Sequence, residues 1–345
     1  MVIMSLRFVF SSLKYIFDAM KHEYELLSEQ YHFPLTMMPW WLESVSKADG
    51  KGWDAVVVKS SDGTILGAMG FHWMRKYGVY MVLMPPMMPS VGVWFNHAHS
   101  DNVYTRRNRE LRVLESLAQF FVSSRYSYVN AVFDKYLNNL LPLYWYGFQL
   151  RTRYTFVIPD ISQPQIIEAD YYHMKRRLIR KAYSSYRCDI DTLTPEVYYD
   201  MYDEILRSRG SNGVLFTKDY FCGIAHAAIE RRQGAILVIS DQEGTVASAL
   251  FCVWDSRTAY ALSYWTKPSM LNSGSSSMMF HEAVKMLSGR VLEFDFEGSM
   301  DRGISASYSM FATKQCPMVE VIYSRGFRGW IMKKLIFFKR HLNGV

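Results

Sequence analysis

The sequence has few cysteines and lacks the close cysteine pairs that mark a metal or redox site. No Cys-x-x-Cys motif occurs, and the four cysteines are scattered along the chain at Cys188, Cys222, Cys252 and Cys316. This usage is typical of a reducing compartment and argues against a disulfide framework or a structural zinc site. His97-Ala98-His99 has no third ligand nearby in sequence, so no metal is expected.

Long apolar runs and an export signal are also missing. No run approaches the roughly 18 uncharged apolar residues that a membrane helix requires. The first ten residues are apolar, but they contain Arg7 and no small-residue cleavage pattern follows them, so they match a signal peptide poorly. A Ser-His-Asp elbow, a Walker loop and a dinucleotide fingerprint are absent as well. We therefore expect a soluble, cytoplasmic protein outside those enzyme classes.

What the sequence does have is length, aromatic residues and positive charge. Its 345 residues are long for one domain and sufficient for two, each with its own core. The formal net charge of +7 favours an anionic partner, such as a nucleic acid, a nucleotide-bearing cofactor or a membrane surface. A basic, solvated surface would account for the same charge.

Two segments with the pattern of β-hairpins match each other along the chain. The first turns at Ser61-Asp62-Gly63 and the second at Gln242-Glu243-Gly244, an offset of 244 − 63 = 181 residues. Each half then continues with strand, loop, helix, strand and a final strand. This self-similarity predicts two copies of one fold. Pro159–Pro164 is the best linker, which places the domains at residues 1–160 and 161–345.

The stretch Val291–Met300 carries the strongest chemical signal. Leu292, Phe294 and Phe296 alternate with three acidic residues, which predicts a half-buried strand that ends at Gly298-Ser299. Asp295 and Glu297 would then share one face at the end of the strand. We interpret both as candidate general bases, with Glu297 favoured. The alternative is that they pair with Arg302 or Lys314, or cap the loop.

Several segments resemble the GNAT-type acyltransferases, in particular the FemAB-like group that includes the peptidoglycan interpeptide-bridge aminoacyltransferases. They are spread over nearly the whole chain: Pro39–Leu42, Trp145–Phe148 with Thr152–Thr155, Met174–Ala182, Asn272–Ser277 and Phe294–Met300. The resemblance implies an α+β fold with two tandem GNAT-like domains. Each domain would be a mixed, mostly antiparallel sheet flanked by helices.

The resemblance also implies where the acyl donor binds. In GNAT-type proteins the donor pyrophosphate sits on backbone amides where a loop enters the central helix, because unpaired N–H groups and the helix dipole favour an anion there. The donor-binding residues implied here are Asn272, Gly274, Ser275, Ser276 and Ser277, with Tyr264 and Trp265 from the preceding strand. The loop has one glycine where the usual version is glycine-rich, and a plain serine N-cap is the alternative.

The first half has Pro85, Pro86 and Pro89 in the corresponding loop. Proline has no N–H to donate, so we expect this copy to serve the acceptor or the scaffold and not the donor.

Two basic segments are candidates for anion binding. Lys175, Arg176 and Arg180 lie on the helix that opens the second half and could hold phosphates of tRNA, of a nucleotide-linked precursor or of a lipid. The alternative is that they form a solvated basic face. Residues 325–342 form a basic amphipathic helix with an apolar stripe that includes Phe327, Ile331 and Leu335. Such a helix can lie on an anionic membrane, or it can pack on its own domain with its lysines in water.

Together these signals predict an N-acyltransferase that moves an acyl or aminoacyl group onto an amine, for example of a peptidoglycan precursor. The donor would be acyl-coenzyme A or aminoacyl-tRNA. The bridge-forming enzymes often carry a long helical arm, and no segment here is long and polar enough to be one, which weakens the tRNA hypothesis. The competing hypothesis is a non-catalytic, duplicated scaffold that binds an anionic envelope precursor or a membrane surface.

Overall fold

A computed structural model of the chain describes residues 18–47, 51–97, 102–137, 139–298 and 300–342, with side chains as far as residue 336. The elements up to the middle of the chain are α1 (18–30), α2 (Pro39–Lys47), β1 (Gly52–Lys59), β2 (Ile65–Lys76), β3 (Val79–Leu83), β4 (Trp94–Phe95), α3 (Val103–Ser123), β5 (Tyr126–Phe133), α4 (Leu141–Trp145) and β6 (Gln149–Ile158). The apolar positions Phe10, Leu13, Ile16 and Phe17 predict a helix over residues 9–30, of which residues 9–17 fall outside the described part of the chain.

The remaining elements follow in chain order. They are α5 (Pro164–Asp170), α6 (His173–Tyr183), β7 (Tyr186–Ile190), α7 (Pro195–Ser208), α8 (Lys218–Glu230), β8 (Gly234–Asp241), β9 (Val246–Trp254), β10 (Thr258–Thr266), α9 (Ser275–Leu287), β11 (Glu293–Asp295), α10 (Arg302–Ser309), β12 (Lys314–Ser324) and α11 (Gly326–Leu342). Among the described residues, no helix combines the length and the apolarity that crossing a membrane would require.

The chain forms two compact units with the same order of strands. The first combines the chain up to Thr152 with the part from Met318 onward, and the second is Arg153–Pro317. In the first unit the paired strands run β1-β2-β3-β5-β12, and in the second they run β8-β9-β10-β11-β6, with β7 at the edge beside β8. In both, the third and fourth strands are parallel and their other neighbours are antiparallel. The mixed, mostly antiparallel α+β sheet was predicted correctly.

The two hairpins agree in register as well as in order. Val57 pairs with Ala68 in the first, and Val238 pairs with Ala249 in the second, which reproduces the offset of 181 residues on both strands (238 − 57 and 249 − 68). Each hairpin also shifts register close to its turn, in the same relative place. The offset found in the sequence therefore describes equivalent positions of two similar sheets.

The fifth strand of each unit comes from the other half of the chain. In the first unit β12 pairs with β5, where Val321 lies opposite Ala131. In the second unit β6 pairs with β11, where Ile158 lies opposite Phe294. The division predicted at residues 160 and 161 stays a prediction, and the strand pairing adds this exchange to it.

Helices cover both faces of the sheet in the second unit. Leu237 and Ile239 of β8 belong to a core cluster with Met278 and Met279 of α9. On the other face, Phe251 contacts Phe221 of α8 with ring centroids 5.4 Å apart. Central strands that are covered on both sides have no solvated face, so the acidic side chains of β11 are buried.

The predicted alternation of buried and exposed residues in β11 is wrong. Leu292, expected inside, is 41% exposed, whereas Glu293 and Asp295, expected outside, are each 4% exposed. Both carboxylates are satisfied by hydroxyl groups of the neighbouring strands: Thr258 Oγ1 donates to Glu293 Oε1 at 2.7 Å, and Thr155 Oγ1 donates to Asp295. Buried acids are tolerated when they are hydrogen-bonded in this way.

Candidate functional site

A large cavity of the second unit lies where β10 and β11 part. Their parallel pairing ends at Tyr260 and Asp295, and the residues that follow on each strand, 261–266 and 296–298, line a cavity of about 620 Å³. Residues of α6, α7, α9 and α10 complete its wall. Its volume is in the range of small-molecule sites.

Gly274 is the residue before α9, and it must be glycine for two reasons. Its φ of 90° lies in the left-handed region, which side chains with a Cβ disfavour. A Cβ at this position would also clash with the carbonyl oxygen of Leu178 on α6. The glycine thus lets α6 approach the first turn of α9 closely.

The first turn of α9 presents amide groups to the cavity. Gly274 provides no side-chain cap, and Ser275 N donates to Ser273 Oγ at 3.1 Å. The next two amides, of Ser276 and Ser277, have no acceptor among the described residues, and both residues line the cavity. Uncapped N–H groups with the helix dipole behind them form a favourable environment for an anion.

Lys175 of α6 lies beside this turn. Its side chain is buried, with Nζ 2.9 Å from Ser307 Oγ, 3.4 Å from Ser277 Oγ and 4.4 Å from the ring centroid of Phe311. Desolvation lowers the pKa of Lys175 to about 8. No carboxylate of the described residues forms an ion pair with it. A buried ammonium group without a counter-ion is costly, and an anionic ligand in the cavity would compensate for it.

Glu297 lies in the cavity wall directly after β11. It has a φ of 60°, in the left-handed region, and its amide N donates to Asp295 Oδ1 at 3.0 Å. Asp295 itself is buried and does not line the cavity. The alternation predicted that the two carboxylates share one face of the strand, and this prediction is wrong. Asp295 holds the turn that places Glu297 at the cavity.

Two tyrosines form a hydrogen-bonded pair in the same wall. The hydroxyl of Tyr308 donates to that of Tyr264 at 3.1 Å, and both residues line the cavity. Burial raises the pKa of Tyr308, and Tyr264, Glu297 and Asp295 raise it further. Burial also raises the pKa of Tyr264. Both phenols are protonated at neutral pH and available as proton donors.

The cavity brings together part of the set predicted from the sequence. The predicted residues that line it are Lys175, Tyr264, Trp265, Gly274, Ser276, Ser277 and Glu297. Asn272 is exposed outside the lining, and the Ser275 hydroxyl lies 2.7 Å from Ser248 Oγ, so neither contributes a side chain to it. Arg176 and Arg180 also lie outside the lining.

Arg209 and α10 were missed at the sequence level. Arg209 follows α7, lines the cavity and donates from Nη2 to the carbonyl of Thr266 at 2.6 Å. Together with Lys175 and Glu297 it makes up the charged residues of the described lining, two cations and one carboxylate. The sequence signal for α10 was Asp301, whose side chain accepts from Ile304 N at 2.9 Å as a helix N-cap.

Metal ligands are not grouped in the part of the chain that the structure describes, where no cluster of three or more occurs. His97 Nε2 lies 3.5 Å from Glu110 Oε1, and His99 falls outside the described residues.

Comparison with known proteins places the fold. No protein-family model and no curated protein matches the sequence. A crystal structure of FemX is similar, with a TM-score of 0.63 and 12% identity over 87% of this chain and 93% of that one. A conserved protein of unknown function from Bacteroides thetaiotaomicron has a TM-score of 0.58 and 11% identity over 89% and 97%. At this identity the likeness concerns the fold alone, and it confirms the α+β fold that the resemblance to the FemAB-like group implied.

Proposed function

We propose that this protein is an N-acyltransferase whose donor binds in the cavity of the second unit. The observation that carries the proposal is the buried Lys175 ammonium group next to the uncapped amides of Ser276 and Ser277. These groups supply positive charge and N–H donors at one point of the cavity wall, which suits the phosphates of a nucleotide-bearing donor. The gap between β10 and β11 leaves room for the arm that carries the acyl group.

In the proposed reaction the acceptor amine attacks the carbonyl carbon of the acyl group. A C–N bond forms, and the C–S bond of a thioester, or the C–O bond of an aminoacyl ester, breaks. The Glu297 carboxylate takes the proton from the attacking nitrogen, and the Tyr308–Tyr264 pair gives a proton to the leaving group. Asp295 acts as a positioning residue through its hydrogen bond to Glu297 N.

Acyl-coenzyme A is the donor that these features favour over aminoacyl-tRNA. α3, with 21 residues the longest helix in the described part of the chain, packs Leu114, Leu117 and Phe121 into the core of the first unit, so it is not a projecting arm. Stabilisation by coenzyme A in a thermal shift assay supports this choice. Salt-dependent binding of tRNA without a response to coenzyme A would favour the other donor.

The acceptor belongs to the cell-envelope class in this proposal, with an amine of a peptidoglycan precursor as the first candidate. This choice of acceptor rests on the resemblance to the FemAB-like group. The proposal also places the protein in the cytoplasm, and the offset of 181 residues between the two hairpins supports an origin of the two units by duplication. A non-catalytic scaffold is the weaker alternative, because a scaffold does not need a buried, uncompensated lysine in a cavity with a carboxylate. Contact with a membrane through residues 325–342 is also part of the proposal.

The Glu297→Gln substitution tests the catalytic assignment. It keeps the size of the side chain but removes the base, so we expect kcat to fall by about 100-fold or more while the KM for the donor stays the same. The measurement is steady-state transfer from acetyl-coenzyme A to an amine acceptor. Glu243→Gln, an exposed change of the same charge in the β8–β9 turn, is the matched control. Equal kcat values for the Glu297 variant and this control would refute the role of Glu297.

A further inference from the structure

The first unit has a smaller pocket of its own between its sheet and α11. The pocket has a volume of about 220 Å³. Strands β5, β6 and β12 and the helix α11 supply its lining: Tyr128, Asn130, Arg151, Ile322, Lys333, Lys334 and Ile336. None of these residues belongs to the site proposed for acyl transfer.

The charged residues of the pocket are all cations. Lys333 Nζ donates to Gln149 Oε1 at 2.9 Å, and Arg151 and Lys334 stand in the same lining. Desolvation lowers the pKa of Lys333, and the neighbouring charges of Arg151 and Lys334 lower it further. Three cations around one cavity repel each other, so an anion in the pocket would be stabilised by all of them.

The lining of the pocket includes a residue with a buried acceptor, Asn130. Asn130 is 2% exposed, and its Nδ2 donates to Glu320 Oε1 at 3.1 Å. A carboxylate only accepts hydrogen bonds, so this contact fixes the orientation of the amide. Asn130 Oδ1 is then left buried without a partner among the described residues. A ligand that fits must therefore bring a hydroxyl or N–H donor as well as negative charge.

α11 has a second apolar face that the described part of the unit does not cover. The helix packs on the sheet through Gly329 and Met332, and a Cβ at Gly329 would clash with the carbonyl of Ser127. Phe327, Trp330 and Leu335 are 74%, 51% and 50% exposed. The apolar stripe expected from the sequence thus points in part away from the core, next to the basic pocket.

We propose that this pocket binds the headgroup of an anionic phospholipid that carries a free hydroxyl group, with the exposed face of α11 lying on the bilayer. The phosphate meets Arg151, Lys333 and Lys334, and the hydroxyl donates to Asn130 Oδ1. Phe327 and Trp330 lie at the level of the headgroups, where aromatic side chains are favoured. The inference deepens the proposed membrane contact and is independent of acyl transfer.

Vesicle flotation with the full chain and no acyl donor tests the proposal. Three sets are compared: phosphatidylcholine alone, and phosphatidylcholine with equal shares of phosphatidylglycerol or phosphatidylmethanol. The last two have the same charge, but only phosphatidylglycerol has headgroup hydroxyls. We expect about tenfold tighter binding to phosphatidylglycerol than to phosphatidylmethanol, from one hydrogen bond to a buried acceptor, and weakest binding to phosphatidylcholine. This comparison uses the unaltered protein, so it does not depend on the folding of a variant.

Variants then locate the site. Replacing Lys333 and Lys334 by alanine should weaken binding to both anionic vesicles about 30-fold. Asn130→Leu should instead remove only the preference for phosphatidylglycerol over phosphatidylmethanol. The matched control replaces Lys314 and Arg290, both exposed outside the pocket, and should bind as the wild type does.

The proposal is overturned by equal binding to the two anionic lipids, or by an equal loss in the control. Size-exclusion chromatography that shows a dimer abolished by Trp330→Ser would overturn it too, since a second copy would then cover this face. A failure of acyl transfer has no bearing on any of these readouts.

Discussion

The N-terminus of the equivalent helix is capped by a side chain in the first unit and is uncapped in the second. α3 and α9 both connect the third and fourth strands of their sheets. In the first unit Asn102 caps α3: its side chain accepts from Tyr104 N at 2.9 Å and Thr105 N at 3.1 Å. These are the second and third amides of the helix. Their counterparts in α9 are the amides of Ser276 and Ser277, which face the cavity without a cap.

The gap between the two parallel strands is also filled in the first unit and open in the second. Beyond β3 in the first unit, Val91 continues the pairing with β5: its amide donates to Val132 O at 2.8 Å, and its carbonyl accepts from Asp134 N at 3.1 Å. The proline-containing segment thus fills the gap with backbone. In the second unit the corresponding gap between β10 and β11 is the cavity.

This contrast shows how one strand order supports both a closed and an open version of a site. Where a helix terminus is satisfied by its own chain and the gap is filled, the unit is stable without a ligand. In the second unit, two amides lack an acceptor and a buried ammonium group lacks a counter-ion among the described residues. These unsatisfied groups lower the stability of the unit at that one place. Such exceptions are expected at functional sites.

Among the substitutions that test this difference between the units, Lys175→Met should have the largest effect. It removes the buried charge beside the uncapped helix N-terminus of the second unit. Affinity for coenzyme A should fall about 100-fold, because a charge-assisted contact to phosphate is lost. The free energy of unfolding at pH 7 should not fall, since the drop in the pKa of Lys175 from 10.5 to about 8 corresponds to a desolvation penalty of about 3 kcal/mol. Isothermal titration and chemical denaturation measure the two quantities.

Lys181→Met on the same helix is the control for that experiment. Lys181 is exposed, and its loss changes the net charge by the same amount. An equal loss of affinity in both variants would mean that coenzyme A responds to general charge, and the distinction between the open and closed termini would lose its support.

A smaller effect is expected from pH. Lys175 has to be charged to hold a phosphate, so affinity for coenzyme A should fall about tenfold between about pH 7 and pH 9, as the site titrates with a pKa of about 8. Stability without a ligand should change in the opposite direction. The folded-state pKa lies below the unfolded one, so the penalty is fully present below pH 8 and is relieved as the pH rises towards 10.5. A flat binding profile in the wild type, like the one expected for Lys175→Met, would contradict the assignment.

The hairpins and their register were open to prediction because local signals carry them. Asp62-Gly63 and Glu243-Gly244 supply the positive φ that each turn needs, 86° at both glycines. The offset between the turns then transfers to every pair of the two ladders. The exchange of the fifth strands was not open to prediction, because either copy of that strand satisfies the same hydrogen-bonding pattern.

The site was predictable where a residue's position on its element decides its role. Lys175 shares the buried face of α6 with Ile179 and Ala182, at spacings of four and seven residues, and this helical pattern separates it from Arg176 and Arg180. The burial of Glu293 and Asp295 could not be read from β11 alone. It depends on hydroxyl groups of β10 and β6, which are distant in sequence.

The smallest effect is expected from Asn102→Ala, which opens the closed terminus. Loss of the cap should lower the free energy of unfolding by about 1 kcal/mol and leave affinity for coenzyme A unchanged, because Val91 still fills the gap beside β5. Thr217→Ala removes a comparable single-residue cap from α8 and serves as the reference for the size of the loss. If the Asn102 variant gained a second binding site for coenzyme A, the Asn102 cap alone would account for the lack of coenzyme A binding in the first unit. The segment that fills the gap beside β5 would then not be needed to prevent binding.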